Sequence, residues 1–247
     1  MTGASIRTKP AGSPAGRLFF EALVIVSSIL LAFGIDAWWE ERKDRVEEQE
    51  ILHGLYDEFS QNRERLERDM LIDATNSQIL VAILEAIDSG VWNEQEIPID
   101  GVIGDMLSPS TSDLGNGVFD ALVNAGRIEL LSNKDLRNKL AAWNGIFDEV
   151  RDDQANNSKM VLEQMVPYFM RNGVPVSAAF VSFNYAWPIK SRSIKDDADS
   201  LERLLTDPEF RVMAELRYGY KIHLKGEIAR ALDAIDQILI EIERSLN

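Results

Sequence analysis

A single uncharged apolar run near the N-terminus constrains the fold of this chain more than any other feature of the sequence. Residues 22–35 contain no charged side chain, and the apolar segment around them extends from Leu18 to Trp39. As a helix, this segment would be about 33 Å long at 1.5 Å per residue, which is enough to cross the hydrocarbon core of a bilayer. We therefore predict a membrane-spanning helix over residues 18–39.

The residues at the two ends of the segment match the two membrane interfaces. Glu21 lies in the first helical turn, where the helix dipole favours a negative charge, and Asp36 lies within a turn of the other end. Trp38 and Trp39 fit the aromatic belt at a membrane surface. We expect these four residues to anchor the span.

Other interpretations of the run stay open at the level of the sequence. Its uncharged centre is shorter than the roughly 17–25 residues of a standard span, and a cleaved signal peptide or a buried helix can have this length. Residues 32–34 read Ala-Phe-Gly, which resembles a signal-peptidase site. Ser28 and Ala32 are small residues four positions apart, a spacing that would allow two spans to pack together, and we include both in the predicted anchor.

Composition matters because charge is divided unequally about this segment. The 247 residues carry 41 acidic and 26 basic side chains, a formal net charge of −15. Residues 1–17 contain three basic residues and no acid, so this tail carries +3 and the rest of the chain −18. Such an acidic surface repels a polyanion, and we exclude nucleic acid as a partner. The composition of the tail, rich in Pro, Gly and Ser, predicts disorder over residues 1–17.

Orientation follows from the basic residues on the two sides of the span. Three precede it and three follow it, so the positive-inside rule alone does not decide. The free amine and the lack of acids before the span favour a cytoplasmic N-terminus. We expect a single-pass protein of the inner membrane, with the acidic remainder in the periplasm.

Beyond the span, apolar residues recur at spacings of three, four and seven, which predicts an all-α fold. We predict one domain over residues 40–247, with long helices at about 40–88, 132–171 and 207–246 and short capping helices. Ser132 and Thr206 are the expected N-caps of the second and third long helices. We expect an elongated antiparallel bundle in which the connection 88–131 covers the end far from the membrane.

In that arrangement the irregular segment 174–199 would return towards the lipid. Its aromatic residues would then contact headgroups or a membrane partner, or alternatively fill the end of the bundle core. The four residues concerned are Phe180, Phe183, Tyr185 and Trp187. Polar residues also interrupt the apolar stripe of the first long helix, which predicts that the middle of this helix is polar and loosely packed. These residues are Asn62, Asp69, Asp73 and Asn76.

Residues able to carry chemistry are scarce. The chain has no cysteine and two histidines, which excludes disulfide scaffolds, thiol catalysis and histidine-rich metal sites. Glu50 and His53 form one Glu-x-x-His element where a di-metal bundle needs two, and the acidic residues at 196–199 with Glu202 lack the spacing of an EF-hand loop. We therefore expect no metal, no cofactor and no enzymatic activity.

Three stretches resemble landmarks of a bacterial family of small single-pass membrane proteins of unknown function. Members open with a basic tail, Gly-Glu, an apolar run and Asn-Asn-Trp-Asn-Glu-x-Arg-Lys. The stretches are residues 35–43 at the end of the span, 118–136 in the middle of the chain and 204–210. Glu21, Trp38, Glu40, Arg42 and Lys43 match the opening pattern, whereas Phe20, Asp36, Ala37 and Trp39 depart from it, as in a divergent member. The resemblance implies a topology and no activity.

Two functions from different classes follow. The first is a membrane-anchored helical interaction or scaffold protein, whose partners would be the lipid bilayer and a membrane protein, an extracytoplasmic protein or a second copy of the chain. The second is a ligand-sensing bundle with a small-molecule pocket near the polar residues of the first helix, passing its signal to a partner membrane protein.

Overall fold

The computed structural model describes residues 14–92, 99–108, 112–174, 194 and 198–247, and the prediction of an all-α protein is confirmed, with no strand in these ranges. The helices are α1 (Pro14–Ser89), α2 (Ile99–Leu107), α3 (Gly117–Asn124), α4 (Lys134–Met160), α5 (Val166–Arg171), α6 (Ala198–Thr206) and α7 (Pro208–Leu246). A 3₁₀ turn at Ile128–Leu130 precedes α4, and a π turn at Val161–Met165 separates α4 from α5.

Two compact units divide the chain, with the boundary inside α1. The N-terminal unit comprises Met1–Glu50 and the C-terminal unit Ile51–Asn247. In the N-terminal unit every side chain described between Leu18 and Val46 is exposed. The C-terminal unit contains every member of the two apolar clusters described below.

The N-caps of the two later long helices each lie one residue beyond the predicted position. Asn133, rather than Ser132, caps α4, because its Oδ1 accepts hydrogen bonds from the backbone N–H groups of residues 135 and 136 at 2.9 and 3.1 Å. Asp207, rather than Thr206, caps α7 by accepting from the Glu209 N–H at 2.8 Å. Thr206 instead ends α6, a helix that begins inside the segment predicted to be irregular, and its hydroxyl donates to the Glu202 carbonyl.

Two helices of the C-terminal unit end at a glycine. Gly126 and Gly173 have φ of +66° and +69°, the left-handed conformation that glycine adopts without steric cost. After α3, the N–H of Gly126 donates to the carbonyl of Val123, and the N–H of Arg127 donates to that of Leu122. This pair of hydrogen bonds is a Schellman motif, which satisfies carbonyls that the helix end leaves free.

Two apolar clusters form the core of the C-terminal unit. The first cluster combines residues between 52 and 66 of α1, 136 and 150 of α4, and 224 and 242 of α7, with members of α3. The second cluster combines residues between 80 and 86 of α1, 160 and 169 around the π turn, and 210 and 214 of α7, with α2. Each long helix therefore crosses both clusters.

The order of the contacts corrects the predicted antiparallel path. Residue numbers on α1 and α4 rise together from the first cluster to the second, and the rings of Phe59 and Trp143 lie 5.2 Å apart, so these two helices run parallel. Helix α7 runs opposite to both. The reason is the connection between α1 and α4, which returns along α1 through α3 instead of covering the far end.

Helix α4 loses its regular hydrogen bonding just before a proline. Pro167 lacks an N–H, and its ring would clash with the carbonyl of residue 163 in a regular helix. The π turn at Val161–Met165 widens the helix immediately ahead of it. The helix nevertheless continues to Arg171, and the buried rings of Tyr168 and Phe169 join the second cluster.

Candidate functional site

A layer of buried charged and polar side chains separates the two apolar clusters. It consists of Asp73 on α1, Asp105 on α2, Asn157 on α4, and Arg217 and Lys221 on α7, which we call the charged layer. Each of these residues is less than a tenth exposed. Charged side chains are rarely buried unless they are paired, so their partners determine what the layer can do.

Lys221 joins two helices through two ion pairs. Its Nζ lies 3.0 Å from Asp73 Oδ1 and 3.0 Å from Asp105 Oδ1. The ammonium is 2 % exposed, so bulk water and salt screen these pairs little. Lys221 therefore connects α7 to α1 and to α2 at the same level of the core.

Arg217, one turn before Lys221, is completely buried. Its guanidinium donates to the Asn157 side chain and to the backbone carbonyls of Asp105, at 3.1 Å, and Ser108. Burial lowers the pKa of the guanidinium, while the charges of Asp105 and Asp73 act in the opposite direction. An arginine stays protonated in proteins, so Arg217 brings a permanent positive charge into the core.

The charges within the layer are equal in number: the carboxylates of Asp73 and Asp105 are matched by the cations of Arg217 and Lys221. A buried ion pair contributes little net stability compared with apolar residues of similar volume, but removing one partner is strongly destabilising. Buried ionic groups can also specify one register of packed helices. The layer is thus suited to fixing how α1, α2, α4 and α7 align.

Several polar atoms in and beside the layer have no hydrogen-bond partner among the described residues. They are Asp69 Oδ2, Asp105 Oδ2 and Arg217 Nε. Asp69 lies one turn before Asp73, and burial raises the pKa of its carboxyl, an effect that a hydrogen bond with Ser112 partly offsets. Two hydrogen-bond acceptors and one hydrogen-bond donor are therefore buried without a partner among the described residues.

Polar residues of α1 on the other side of Asp69 hold the returning connection. Asn62 bonds to Gly115 in both directions, accepting from its N–H at 2.8 Å and donating to its carbonyl at 2.6 Å. The Glu58 carboxylate accepts from the backbone N–H groups of Val118 and Phe119 and so caps α3 from another helix. Asn62, predicted as a polar interruption of α1, therefore binds the backbone of this connection. We call these contacts of Asn62 and Glu58 the clamp.

The sequence located this site only in part. Asp69 and Asp73 were predicted as polar interruptions and lie at the site, Asn62 belongs to the clamp, and the side chain of Asn76 is outside the described residues. Arg217 and Lys221 were missed, although a signal exists, since both occupy the apolar heptad of α7. That heptad is Phe210, Ala214, Arg217, Lys221, Leu224, Ile228, Ala231, Ile235, Ile238 and Ile242, and all ten residues are buried.

The predicted anchor residues all lie on α1 in the N-terminal unit and are exposed; they are Glu21, Ser28, Ala32, Asp36, Trp38 and Trp39. One 18-residue window of the helix is apolar enough to cross a membrane, and none of it is buried. The Ser28 hydroxyl donates to the Val24 carbonyl at 2.8 Å, which satisfies it without water. The Arg42 guanidinium lies 5.9 Å from the Trp38 ring centre.

A second group of residues on the C-terminal unit has the composition of a metal site. Asp153 on α4 and His223 and Glu227 on α7 each offer a ligand atom, all within 4.8 Å of one another. His223 also lines a mostly apolar groove of about 420 Å³ on α7, together with Val212, Glu215, Leu216, Gly219 and Tyr220.

The predicted aromatic residues Phe180, Phe183, Tyr185 and Trp187 lie outside the described residues. The described residues nearest to them in the sequence are Val174 and Ile194, and both belong to the second cluster. Helix α4 runs parallel to α1, so its C-terminal end, which leads into this segment, lies at that cluster. Comparisons of the chain with protein-family models, with characterised proteins and with solved structures found no match.

Proposed function

We propose that the protein is a membrane-anchored helical interaction protein without catalytic activity. Its N-terminal helix spans the inner membrane of a bacterium, the basic tail is cytoplasmic, and the C-terminal unit is a periplasmic helical bundle that binds a protein partner. The proposal also places the chain, as a divergent member, in the single-pass family that it resembles. The observation that carries it is the exposed apolar surface of α1 between Leu18 and Trp39.

That surface is unusual for a protein in water. The large apolar side chains from Leu18 to Trp39 are each 47–72 % exposed, and they follow one another without interruption by a buried face. Contiguous apolar patches of this extent mark membrane or protein contacts. A lipid environment accounts for exposure all around the helix, whereas a single protein partner would cover one side.

A partner-binding role for the C-terminal unit is supported by its two kinds of surface. The apolar groove on α7 offers Val212, Leu216 and Tyr220 to solvent at 51, 45 and 37 % exposure. The residues after the basic tail carry all of the acidic excess, with a net charge of −18, which favours a partner with a basic surface around an apolar contact. The charged layer would hold α7 in register while this face is used.

The test is capture of a stoichiometric partner from solubilised membranes by the full-length chain. We expect Leu216→Asp to reduce the captured amount at least tenfold, because a carboxylate would occupy the apolar groove. Leu162→Asp is the matched control, since Leu162 is an exposed leucine on another helix, and it should leave capture unchanged. Capture by neither the wild type nor the control, or equal loss in both variants, would contradict the proposal.

Topology has a separate test. Reporter fusions at residue 247 are expected to be active in the periplasm, because the proposal places the single span with its N-terminus inside. A cytoplasmic reporter signal would reverse the orientation and leave the membrane anchor itself intact.

Ligand sensing is the second candidate, and the unpartnered atoms of the charged layer favour it. A small polar ligand with donors for Asp69 and Asp105 and an acceptor for Arg217 Nε would complete the layer. Screening metabolites for a rise in the unfolding temperature tests this function. A sensing role requires that a hit lose its effect in Asp105→Asn, and a hit that stabilises both proteins equally would count against it.

A further inference from the structure

The cluster of Asp153, His223 and Glu227 lies on the C-terminal unit, where α4 packs against α7. His223 and Glu227 are four residues apart and therefore project from one face of α7. Asp153 faces them from α4, and its Oδ2 lies 3.1 Å from His223 Nε2. The three residues come from two helices whose register the charged layer fixes through the contact between Arg217 and Asn157.

We propose that these residues bind a divalent transition metal of the zinc class. One imidazole nitrogen and two carboxylate oxygens suit Zn²⁺ and its neighbours, whereas Ca²⁺ and Mg²⁺ prefer ligand sets made of oxygen alone. Three protein ligands around a zinc ion leave a coordination position for water or a further group. The ligand atoms already lie within 4.8 Å of one another, so small side-chain rotations are enough to bring them to one ion.

Solvent can reach the cluster, and an ion can therefore enter it. The side chains of His223 and Asp153 are 60 % and 27 % exposed, while that of Glu227 is 11 % exposed. The contact between His223 and Asp153 lies at the surface, and a surface contact of this kind contributes little to folding. The pair is thus available for exchange with a metal without loss of the fold.

Arg230 supports Glu227 from outside the cluster. Its guanidinium contacts Glu227 Oε2 and also Glu149 Oε2, the latter at 3.2 Å. This contact orients the Glu227 carboxylate. Groups that orient a ligating carboxylate in this way are the usual companions of protein metal sites.

A metal here would connect two helices that already pack together. Binding to the folded state alone stabilises it by mass action, so zinc should raise the unfolding temperature of the full chain. His223 also borders the apolar groove on α7, so a metal ligand would lie beside the surface that the proposed function assigns to a partner. Zinc binding itself does not depend on that function, since it is measured with no partner present.

The experiment is calorimetric titration of Zn²⁺ into the chelator-treated full-length chain in detergent. We expect saturable binding of one ion per chain, weakened about tenfold or more in His223→Gln and in Asp153→Asn, because loss of a direct ligand costs at least as much as loss of a supporting group. His53→Gln is the matched control, since His53 is an exposed histidine on α1, and it should bind as the wild type does. X-ray absorption spectra at the zinc edge should contain the scattering of one imidazole ring, which His223→Gln removes.

Two outcomes would overturn the proposal. The first is an absence of saturable zinc binding to the wild type. The second is zinc binding that does not depend on the proposed ligands. In that case His223→Gln and Asp153→Asn leave the binding unchanged, or His53→Gln weakens it as strongly as His223→Gln does. Circular dichroism of each variant verifies that the helices are retained.

Discussion

In most proteins apolar side chains are buried and charged side chains are exposed. The two units of this protein depart from that distribution in opposite ways. In the N-terminal unit, large apolar residues of α1 are exposed over the whole segment from Leu18 to Trp39. In the C-terminal unit, four charged residues are buried between apolar clusters. Scattered apolar residues on a surface need no explanation, but a continuous apolar surface and a buried charge each do.

The difference indicates what each region must be matched to. An exposed apolar helix is stable only where its environment is apolar, so its environment lies outside the chain. A buried charge is stable only where other residues compensate it, so the environment of the charged layer lies within the chain. The apolar side chains of the first region have no partners within the described chain, whereas the charges of the second region are paired with one another.

The largest expected effect comes from removing the shared cation of the charged layer. Lys221→Met keeps a similar side-chain length but leaves Asp73 and Asp105 without their ion pairs, and the unfolding free energy should fall by about 3–5 kcal/mol. Urea unfolding followed by helical circular dichroism measures this change. Lys225→Met, at an exposed position one turn later, should cost less than about 0.5 kcal/mol.

A compensating variant sharpens this result. Adding Asp73→Asn to Lys221→Met removes one uncompensated carboxylate and leaves Asp105 against the permanent charge of Arg217, so it should recover part of the lost stability. If Lys221→Met alone unfolded like the wild type, the charged layer would have no structural role.

The next effect concerns the exposed apolar helix. Ile29→Lys places a charge at the centre of the predicted span and should oppose insertion by roughly 2.5–3.5 kcal/mol. The fraction of protein that stays in membranes after a carbonate wash measures the loss. Val46→Lys replaces an exposed apolar residue beyond the segment and should remain in the membrane fraction.

The same experiment separates the span from its alternatives. Equal retention of Ile29→Lys and Val46→Lys would contradict a spanning helix. The intact mass of the purified chain adds a second readout, because a signal peptide cleaved after residue 34 would be missing from it.

A smaller effect tests the corrected N-cap. Asn133→Ala removes the acceptor for two backbone N–H groups of α4 and the contacts of its amide with Glu241, at a cost of about 1–2 kcal/mol. Ser132→Ala should cost less than Asn133→Ala, because the structure assigns the cap to Asn133. Urea unfolding of both variants measures the difference. A larger effect at Ser132 would restore the cap predicted from the sequence.

The smallest expected effect is a pH dependence at the edge of the charged layer. Burial raises the pKa of Asp69, so the folded state holds this proton more tightly than the unfolded state and ionisation of Asp69 destabilises the fold. Asp69→Asn should therefore raise the unfolding temperature slightly at pH 7. The gain should vanish as the pH falls through the raised pKa towards the ordinary range of an aspartate.

Asp57→Asn is the matched control for that measurement, because Asp57 is exposed on the same helix. Its unfolding temperature should differ from that of the wild type by the same amount at both pH values. A gain in Asp69→Asn that is equally large at pH 4 and pH 7 would contradict the raised pKa.

Local features of this fold were predictable from the sequence, and long-range features were not. Helical periodicity predicted the all-α class, and capping residues predicted the starts of α4 and α7 to within one residue, because these signals act within a few residues. The direction of α4 depends on the path of a long connection, and the bonds that fix this path, from Glu58 and Asn62 to residues 115–119, join positions more than fifty residues apart.

The same limit applies to the candidate site. Arg217 and Lys221 are visible as charged residues on an apolar heptad, which identifies them as buried. Their partners Asp105 and Asn157 lie on other helices and carry no local mark that distinguishes them from solvated polar residues. Pairing of this kind follows from packing and not from the periodicity of either helix.

The ion pair between Lys221 and Asp73 also sets an order of events during synthesis. The two residues are 148 positions apart, so helices α1 to α5 leave the ribosome before the cation that neutralises their buried carboxylates exists. Until α7 is made, both apolar clusters lack one of their walls as well. Folding of the C-terminal unit is therefore a late, concerted step, and a chain truncated before α7 should be degraded instead of persisting as a smaller stable domain.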